Sequence, residues 1–374
     1  MIWILALSFV AAALTSFTII ASGKWHKRWS ADADLSGPQK MHTQVVPRIG
    51  GLCIASGLLA GIQPLTRMVA TPVLHQALLL MVCTLPAFGL GLVEDFTKAV
   101  SPRRRLFGAA VSGLLAIWLL DAVLIRTSMG FLDWAINAWF PLAVFLTVFY
   151  VAGLVNAVNL IDGLNGLASM SAALMLAALC YVAFQVNDLL VATIALATLG
   201  ATLGFFVWNY PRGLIFLGDG GAYLLGFLLA ELGLLLVARN PLVSPFAPLL
   251  LVAYPVFETV FTMYRRKVLQ GRPVSQPDGV HLHTLIYRRQ MRWTRRGAKH
   301  TSQIRRNSMT SPYLWALNSL AVLPVALWWH HTPALVTSLF VFFLSYLWIY
   351  WKIVRFQTPS WMTPTKKESR DIHP

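Results

Sequence analysis

The run Phe216-Leu217-Gly218-Asp219-Gly220-Gly221 sets one carboxylate among glycines where an apolar stretch begins. Glycines there allow close backbone approach and leave amides free at a helix N-terminus, which favours anions, although an Asp in such a place also serves as an ordinary helix cap. Glu94 and Asp95 form an adjacent acid pair at the end of another apolar stretch, and a solvated helix end explains them equally well. The segment Asn156 to Gly166 is harder to attribute to structure alone. Asn156, Asn159, Asp162 and Asn165 recur every three residues through apolar surroundings. At that interval they would fall near one helical face, and such side chains are expensive inside a membrane unless they are used. Lys40, His42, Asn209, Asp278, His281 and His283 add further polar groups between apolar stretches. Groups of this kind suit phosphoryl chemistry. A divalent metal held by Asp oxygens and water neutralises a diphosphate, while cationic and hydrogen-bonding groups hold the other phosphate oxygens.

Membrane helices must position these groups. Of 374 residues 57% are hydrophobic and 12% charged, against roughly 25% charged in soluble domains. Nine stretches are about long enough to cross a hydrocarbon core as helices: Met1–Ile20, Leu74–Leu92, Phe107–Leu124, Phe140–Ala157, Leu189–Trp208, Gly221–Val237, Leu242–Met263, Leu314–Trp329 and Ala334–Trp351. Gly51–Ile62 and Leu167–Phe184, both rich in small residues, raise the expectation to about eleven transmembrane helices. The fold class expected is therefore an all-α polytopic integral membrane protein, one membrane-embedded domain over residues 1–374. The first stretch has no Lys or Arg before it and no clear cleavage site, so it reads as a retained helix. Cys53, Cys83 and Cys180 have no paired or metal-ligand spacing and read as packing residues.

The formal charge of +16 raises the question of nucleic acid, and its placement argues against that partner. With the N-terminus outside and the C-terminus cytoplasmic, 27 of the 30 Lys and Arg fall on inward segments, leaving only Arg67, Arg126 and Arg239 outside. That is the positive-inside pattern, and basic inner faces also attract anionic membrane lipids and anionic substrates. A cytoplasmic basic loop over 264–311 contains the His281-Leu282-His283 element, its Arg-rich part Tyr287–Arg306 reads as an interfacial helix, and 357–374 is a polar tail. Under this topology the acids, amides and histidines named above all emerge on the inner face. A transporter would place ionisable groups near the midplane, where only Glu231 lies. A ring at the cytoplasmic helix ends fits an enzyme with one soluble and one membrane-bound substrate.

Five motifs, in this order, resemble those of the polyprenyl-phosphate N-acetylhexosamine-1-phosphate transferases: His42-Thr-Gln-Val-Val-Pro47-Arg48-Ile-Gly50-Gly51, Gly91-Leu-Val-Glu94-Asp95, Asn156 to Gly166, Phe216-Leu-Gly-Asp219-Gly-Gly and Pro277-Asp278-Gly-Val-His281-Leu-His283. The resemblance spans roughly residues 34 to 290 and is closer to the undecaprenyl-phosphate GlcNAc-1-phosphate transferase-like branch, which starts O-antigen, enterobacterial common antigen or teichoic acid linkage synthesis, than to the phospho-MurNAc-pentapeptide branch. It implies transfer of a sugar phosphate from a UDP-N-acetylhexosamine to undecaprenyl phosphate, with release of UMP, at the bacterial inner membrane. It implies Mg²⁺, with Mn²⁺ as a substitute, held by Asp219 with help from Asp95, which alternatively takes the lipid phosphate's proton. Glu94 and Asp162 join Asp95 as catalytic candidates. Lys40, His281 and His283 would meet phosphate oxygens, Asn159, Asp162, Asn165 and Asn209 would line the nucleotide-sugar pocket, and His42 and Asn156 are further substrate-binding candidates. A homodimer is left open.

The chain departs from the family pattern at four places. Glu94 replaces the first Asp of the usual pair, Asn165 replaces a second acid, Thr284 follows His283 where a third His is usual, and Glu258 stands where Asp is frequent. Every motif survives in form, which favours an altered sugar preference over an inactive lipid-binding relative.

Overall fold

The computed structural model describes residues 1–32, 45–63, 71–271, 280–293 and 301–355, and these are mostly helical. Lys40, His42, Asp278 and the polar tail lie outside the described residues. Among the described residues eight helices are long and apolar enough to cross a membrane: α1 (Ile2–Ala21), α4 (Thr71–Thr97), α7 (Phe140–Leu160), α8 (Leu167–Gln185), α9 (Leu189–Asn209), α10 (Gly218–Arg239), α14 (Thr301–Trp328) and α15 (Thr332–Val354). Each overlaps a stretch expected from the sequence.

The other three expected spans take different forms, each with a local cause. Helix α3 (Gly50–Ile62) is apolar but has only 13 residues. Helix α5 (Pro102–Leu120) starts earlier than expected, because the Ser101 hydroxyl caps the Arg104 amide and Pro102 occupies the first turn, where its missing N–H costs nothing. Its first turn therefore carries Arg103, Arg104 and Arg105. The stretch Leu242–Met263 is broken at Val252 into α11 (Phe246–Leu251) and α12 (Ala253–Tyr264). Pro255 cannot donate to the carbonyl of Leu251, and its ring obstructs a continuous helix. The break lies among buried residues, Leu250 to Tyr254, where protein rather than lipid surrounds the irregular backbone.

Short elements complete the chain: α2 (Gly23–Ser30), a two-residue antiparallel pairing of β1 (Ala31–Asp32) with β2 (Val46–Pro47), α6 (Gly130–Ala138), a π-helical turn over Arg265–Leu269 and α13 (Leu282–Trp293). The interfacial helix expected over Tyr287–Arg306 is described only in part, because 294–300 lie outside the described residues. Within it, Tyr287 to Trp293 belong to α13, which begins at Leu282, and the residues from Thr301 belong to α14.

Helix α10 is the axis of the fold. It packs against α3, α4, α5, α7, α8, α9 and α11, and every residue from Gly218 to Val237 is buried. Its N-terminal end crosses α3 and α4 at backbone contact. A methyl on Gly51 would sit 2.4 Å from the Gly221 nitrogen, and one on Gly91 2.8 Å from Gly220 Cα. The glycines of the Gly50-Gly51, Gly91 and Gly218 to Gly221 motifs thus serve this crossing first. They bring three chain segments to one point.

Candidate active site

Asp219 occupies the first turn of α10 and is 3% exposed. Its approach is held by strand-like pairing: the Phe216 amide donates to the Pro47 carbonyl at 2.8 Å, and the Gly50 and Gly51 amides donate back to Phe216 and Leu217 at 2.9 and 3.0 Å. Gly218 takes φ +75°, the left-handed conformation that a side chain resists, and a methyl there would also strike the Arg48 carbonyl. This bend aims the Asp219 carboxylate at three donors. Arg48 and Asn159, the latter at 3.1 Å, donate to Oδ1, and Arg105 donates to Oδ2.

Asp95, near the C-terminal end of α4, faces the same turn from behind. Its Oδ1 accepts the Asp219 amide at 2.8 Å and its Oδ2 the Gly220 amide at 2.9 Å, while Arg48 Nε lies 3.4 Å from Oδ1. Both oxygens satisfy amides that a helix N-terminus leaves open. Asp95 therefore fixes the turn that carries Asp219, whereas the sequence alone suggests a free carboxylate. Its neighbour Glu94 turns elsewhere and accepts the Val100 amide at 2.7 Å, closing the loop toward α5. It still acts electrostatically on Arg105 and Tyr223.

The Asn156 to Gly166 run does not form one helical face. Helix α7 ends at Leu160, so only Asn156 and Asn159 are helical, and Asn156 donates to its own helix at Ala152. Asp162 lies in the following turn, close to Asp219 and Arg48, and accepts a backbone hydrogen bond from Gly218. Burial raises its carboxyl to about 7, Arg48 opposes that rise, and the Asp219 charge adds to it. Asn165 and Asn209 are tied into the scaffold. Asn165 receives Asn307 Oδ1 on its amide at 2.8 Å and donates to the Pro211 carbonyl at 3.1 Å, and Asn209 bridges the Gly166 amide and the Ile215 carbonyl. From α14, Ser311 and the Trp315 indole hold the carbonyls of Asn165 and Gly166.

The two histidines join the same region from the other side. Their rings are parallel, 5.3 Å between centroids. His283 lies against the Asp162 turn, since a methyl on Gly163 would sit 2.6 Å from its Nε2. Burial and the adjacent His281 lower His283 to about 4, against the pull of Glu258, which leaves the ring neutral near pH 7.

The sequence points to Asp219, Asp95, Asn159, Asp162 and His283, which the fold assembles, but not to Arg48 and Arg105 as site residues. Arg48 was visible inside the first motif. Arg105 continues the face of α5 whose buried members are Gly108, Ala109, Ser112, Gly113 and Ala116, and that continuation is the signal that separates it from Arg103 and Arg104. Arg105 also hydrogen-bonds Tyr223, and its Nε is buried without an acceptor among the described residues, a donor available to an anion.

A hard divalent cation suits this donor set. No group of three or more His, Cys, Asp and Glu forms a cage among the described residues, but Mg²⁺ usually takes one or two carboxylates and completes its shell with water and phosphate. Asp219 already attracts two guanidinium groups, and Asp162 stands beside it incompletely neutralised.

The fold and this site together define a helical membrane protein that gathers acids and arginines at one end of its bundle. The sequence model of glycosyl transferase family 4 matches residues 77–237. The chain is 30% identical over 289 residues to a probable undecaprenyl-phosphate N-acetylglucosaminyl 1-phosphate transferase of Bacillus subtilis (strain 168), covering 75% of this chain and 76% of that one. It is 30% identical over 260 residues to the undecaprenyl-phosphate alpha-N-acetylglucosaminyl 1-phosphate transferase of Thermotoga maritima, covering 70% and 74%. A phospho-N-acetylmuramoyl-pentapeptide-transferase of Streptococcus thermophilus is 31% identical over 211 residues, 52% of this chain and 59% of that one. The chain belongs to glycosyl transferase family 4, in the branch of the undecaprenyl-phosphate N-acetylglucosaminyl 1-phosphate transferases.

Proposed function

We propose that this protein transfers a HexNAc-1-phosphate from a UDP-N-acetylhexosamine to undecaprenyl phosphate, as the first step of a cell-surface polysaccharide of the O-antigen kind. A lipid phosphate oxygen attacks the β-phosphorus, the bond to the UMP oxygen breaks, and undecaprenyl-diphospho-sugar and UMP are the products. The observation that carries this reading is the Asp219 carboxylate at the head of a fully encased helix, with Arg48, Arg105, Asn159 and Asp162 around it. Mg²⁺, when bound, neutralises diphosphate charge. Asp219 and Asp162 are the residues that would hold it.

The chain's own groups do the rest. Arg48 and Arg105, held beside Asp219, would donate to phosphate oxygens, and the Arg105 Nε, which has no acceptor among the described residues, is a further donor for them. Asp95 keeps Asp219 aimed by holding the amides of α10. His281 and His283 meet phosphate as hydrogen-bonding rings. The Asn165 departure leaves the mechanism intact, because that side chain donates to a backbone carbonyl, which a carboxylate could not do.

The charge distribution supports a cytoplasmic site in the bacterial inner membrane, with N-terminus outside and C-terminus inside. Eleven passes result if α3, α5 and the broken α11 and α12 pair each cross. The test is Mg²⁺-dependent UMP release from a panel of UDP-HexNAc donors with undecaprenyl phosphate, on the purified chain. Asp219→Asn should lose nearly all turnover while still inserting in the membrane. Release by no donor, or full activity of Asp219→Asn at ordinary Mg²⁺, overturns the reading.

A further inference from the structure

The matched family region ends at residue 237, yet the best-organised polar contact next to the site lies beyond it. Glu258, on α12, is 1% exposed and has both carboxylate oxygens engaged. Oε1 accepts the Leu282 amide at 3.1 Å and lies 3.3 Å from His281 Nδ1, and Oε2 accepts the hydroxyl of Tyr346 at 2.7 Å. Thr262 Oγ1 also lies 3.3 Å from His281 Nδ1. Tyr346 comes from α15, the last helix, and is fully buried. Its ring stands edge-on to Phe257 at 4.7 Å and Phe261 at 5.7 Å.

We propose that Tyr346 is a positioning residue for the His-Leu-His turn: its hydroxyl fixes Glu258, and Glu258 holds both the backbone and the first ring of that turn in place. The proposal rests on the function proposed above in taking His281 and His283 as groups that meet substrate phosphate. A buried carboxylate oxygen without a donor is costly, so removing the hydroxyl leaves Oε2 to seek another partner. The carboxylate then rotates, and Leu282 and His281 lose a fixed acceptor. His283, stacked on His281 and seated against Gly163, moves with it. The final helix thereby becomes part of the catalytic apparatus.

Tyr346→Phe keeps the aromatic packing and removes only the hydroxyl. The first readout is the rate at which diethyl pyrocarbonate modifies His281 in the full-length protein in lipid nanodiscs, followed by peptide mass spectrometry with His330 as internal reference. The variant should modify His281 several-fold faster and His330 at the wild-type rate. The second readout is turnover. kcat/KM should fall roughly tenfold to a hundredfold, the range for losing a hydrogen bond to a charged group, and that loss should vanish in a His281→Gln background. Wild-type modification of His281, or wild-type kcat/KM, in a Tyr346→Phe protein overturns the proposal. A wild-type chain that releases no UMP removes the functional reading instead, and the modification rate alone then decides the link from Tyr346 to His281. If Tyr346→Phe does not accumulate, Glu258→Gln is read the same way.

Discussion

A single methyl group at Gly91 tests whether the glycine crossing sets the position of Asp219. In Gly91→Ala the new carbon would lie 2.8 Å from both Cα and N of Gly220 and 2.9 Å from the Asp219 carbonyl carbon. All three are backbone atoms, so no side chain can swing away. Ordinary contact begins near 3.4 Å, so the head of α10 must withdraw by about 0.6 Å or more, the difference between 3.4 and 2.8. Overpacking of this kind costs about 1–3 kcal/mol, and the gain in helix propensity from Gly to Ala returns about 1 kcal/mol. Stability should therefore drop by no more than about 2 kcal/mol, and the protein should still insert. Activity suffers more, because displacing a reacting group by an ångström costs about 10²-fold, so turnover should fall roughly ten- to hundredfold. Gly89→Ala is the matched control. It lies on the same helix with nothing within 4 Å of the added carbon, and it should keep full turnover and melt no lower than wild type. The assay is UMP release beside thermal unfolding in detergent. Equal turnover in the two variants would refute the argument that backbone contact at Gly91 places the carboxylate.

Asp95→Asn should abolish turnover, because an amide accepts only one of the two backbone N–H groups that Asp95 holds, whereas Glu94→Gln keeps an acceptor for Val100 and should retain a measurable fraction; steady-state kinetics showing the reverse order would sink this division. For topology, Asn187→Cys, at an exposed turn between α8 and α9, should react with an impermeant maleimide in intact cells, and Arg104→Cys only after permeabilisation, against a low background from three buried native cysteines. Labelling of Arg104→Cys in intact cells would put the site on the wrong face. Because His283 is lowered to about 4, the unfolded chain binds that proton first, so stability present above about pH 6.5 should be lost as pH falls toward 4. His283→Gln should flatten that part of a melting-temperature profile. An unchanged slope would show that the ring is not held neutral.

Apolar stretches located every long helix, because the membrane imposes its thickness on the sequence directly. What escaped depended on single residues acting at short range. Pro255 broke α12 from α11 inside a run that hydropathy reads as continuous, and the three arginines beginning α5 were legible as charge but not as the first turn of a helix. At the site, Asp219 was visible because glycines flank it, and Asp162 because polar residues are rare in such surroundings. The period of three suggested a helical face, yet α7 stops at Leu160 and the same residues form a turn. The partners of Asn165 and Gly166 are Asn307, Ser311 and Trp315, more than 140 positions away, and no local pattern connects them. Asn165 and Asn209 looked like ligand contacts because amides suit both roles. Only the fold shows that backbone groups already occupy them.

The encasement of α10 also decides how the surrounding bilayer acts on this protein. Thickness is felt by lipid-facing helices, which tilt when hydrocarbon and helix lengths disagree. In the apolar window of α1 28% of residues are buried and in that of α15 22%, against 94% for α10. The outer helices therefore absorb hydrophobic mismatch, while the depth of Asp219 is set by α3, α4 and α7. The phosphate of a lipid substrate, by contrast, rides at the level of the headgroups. On the function proposed above, a thinner or thicker membrane shifts that phosphate relative to a carboxylate that stays still, so lipid chain length governs how the acceptor meets the site without reshaping the site itself.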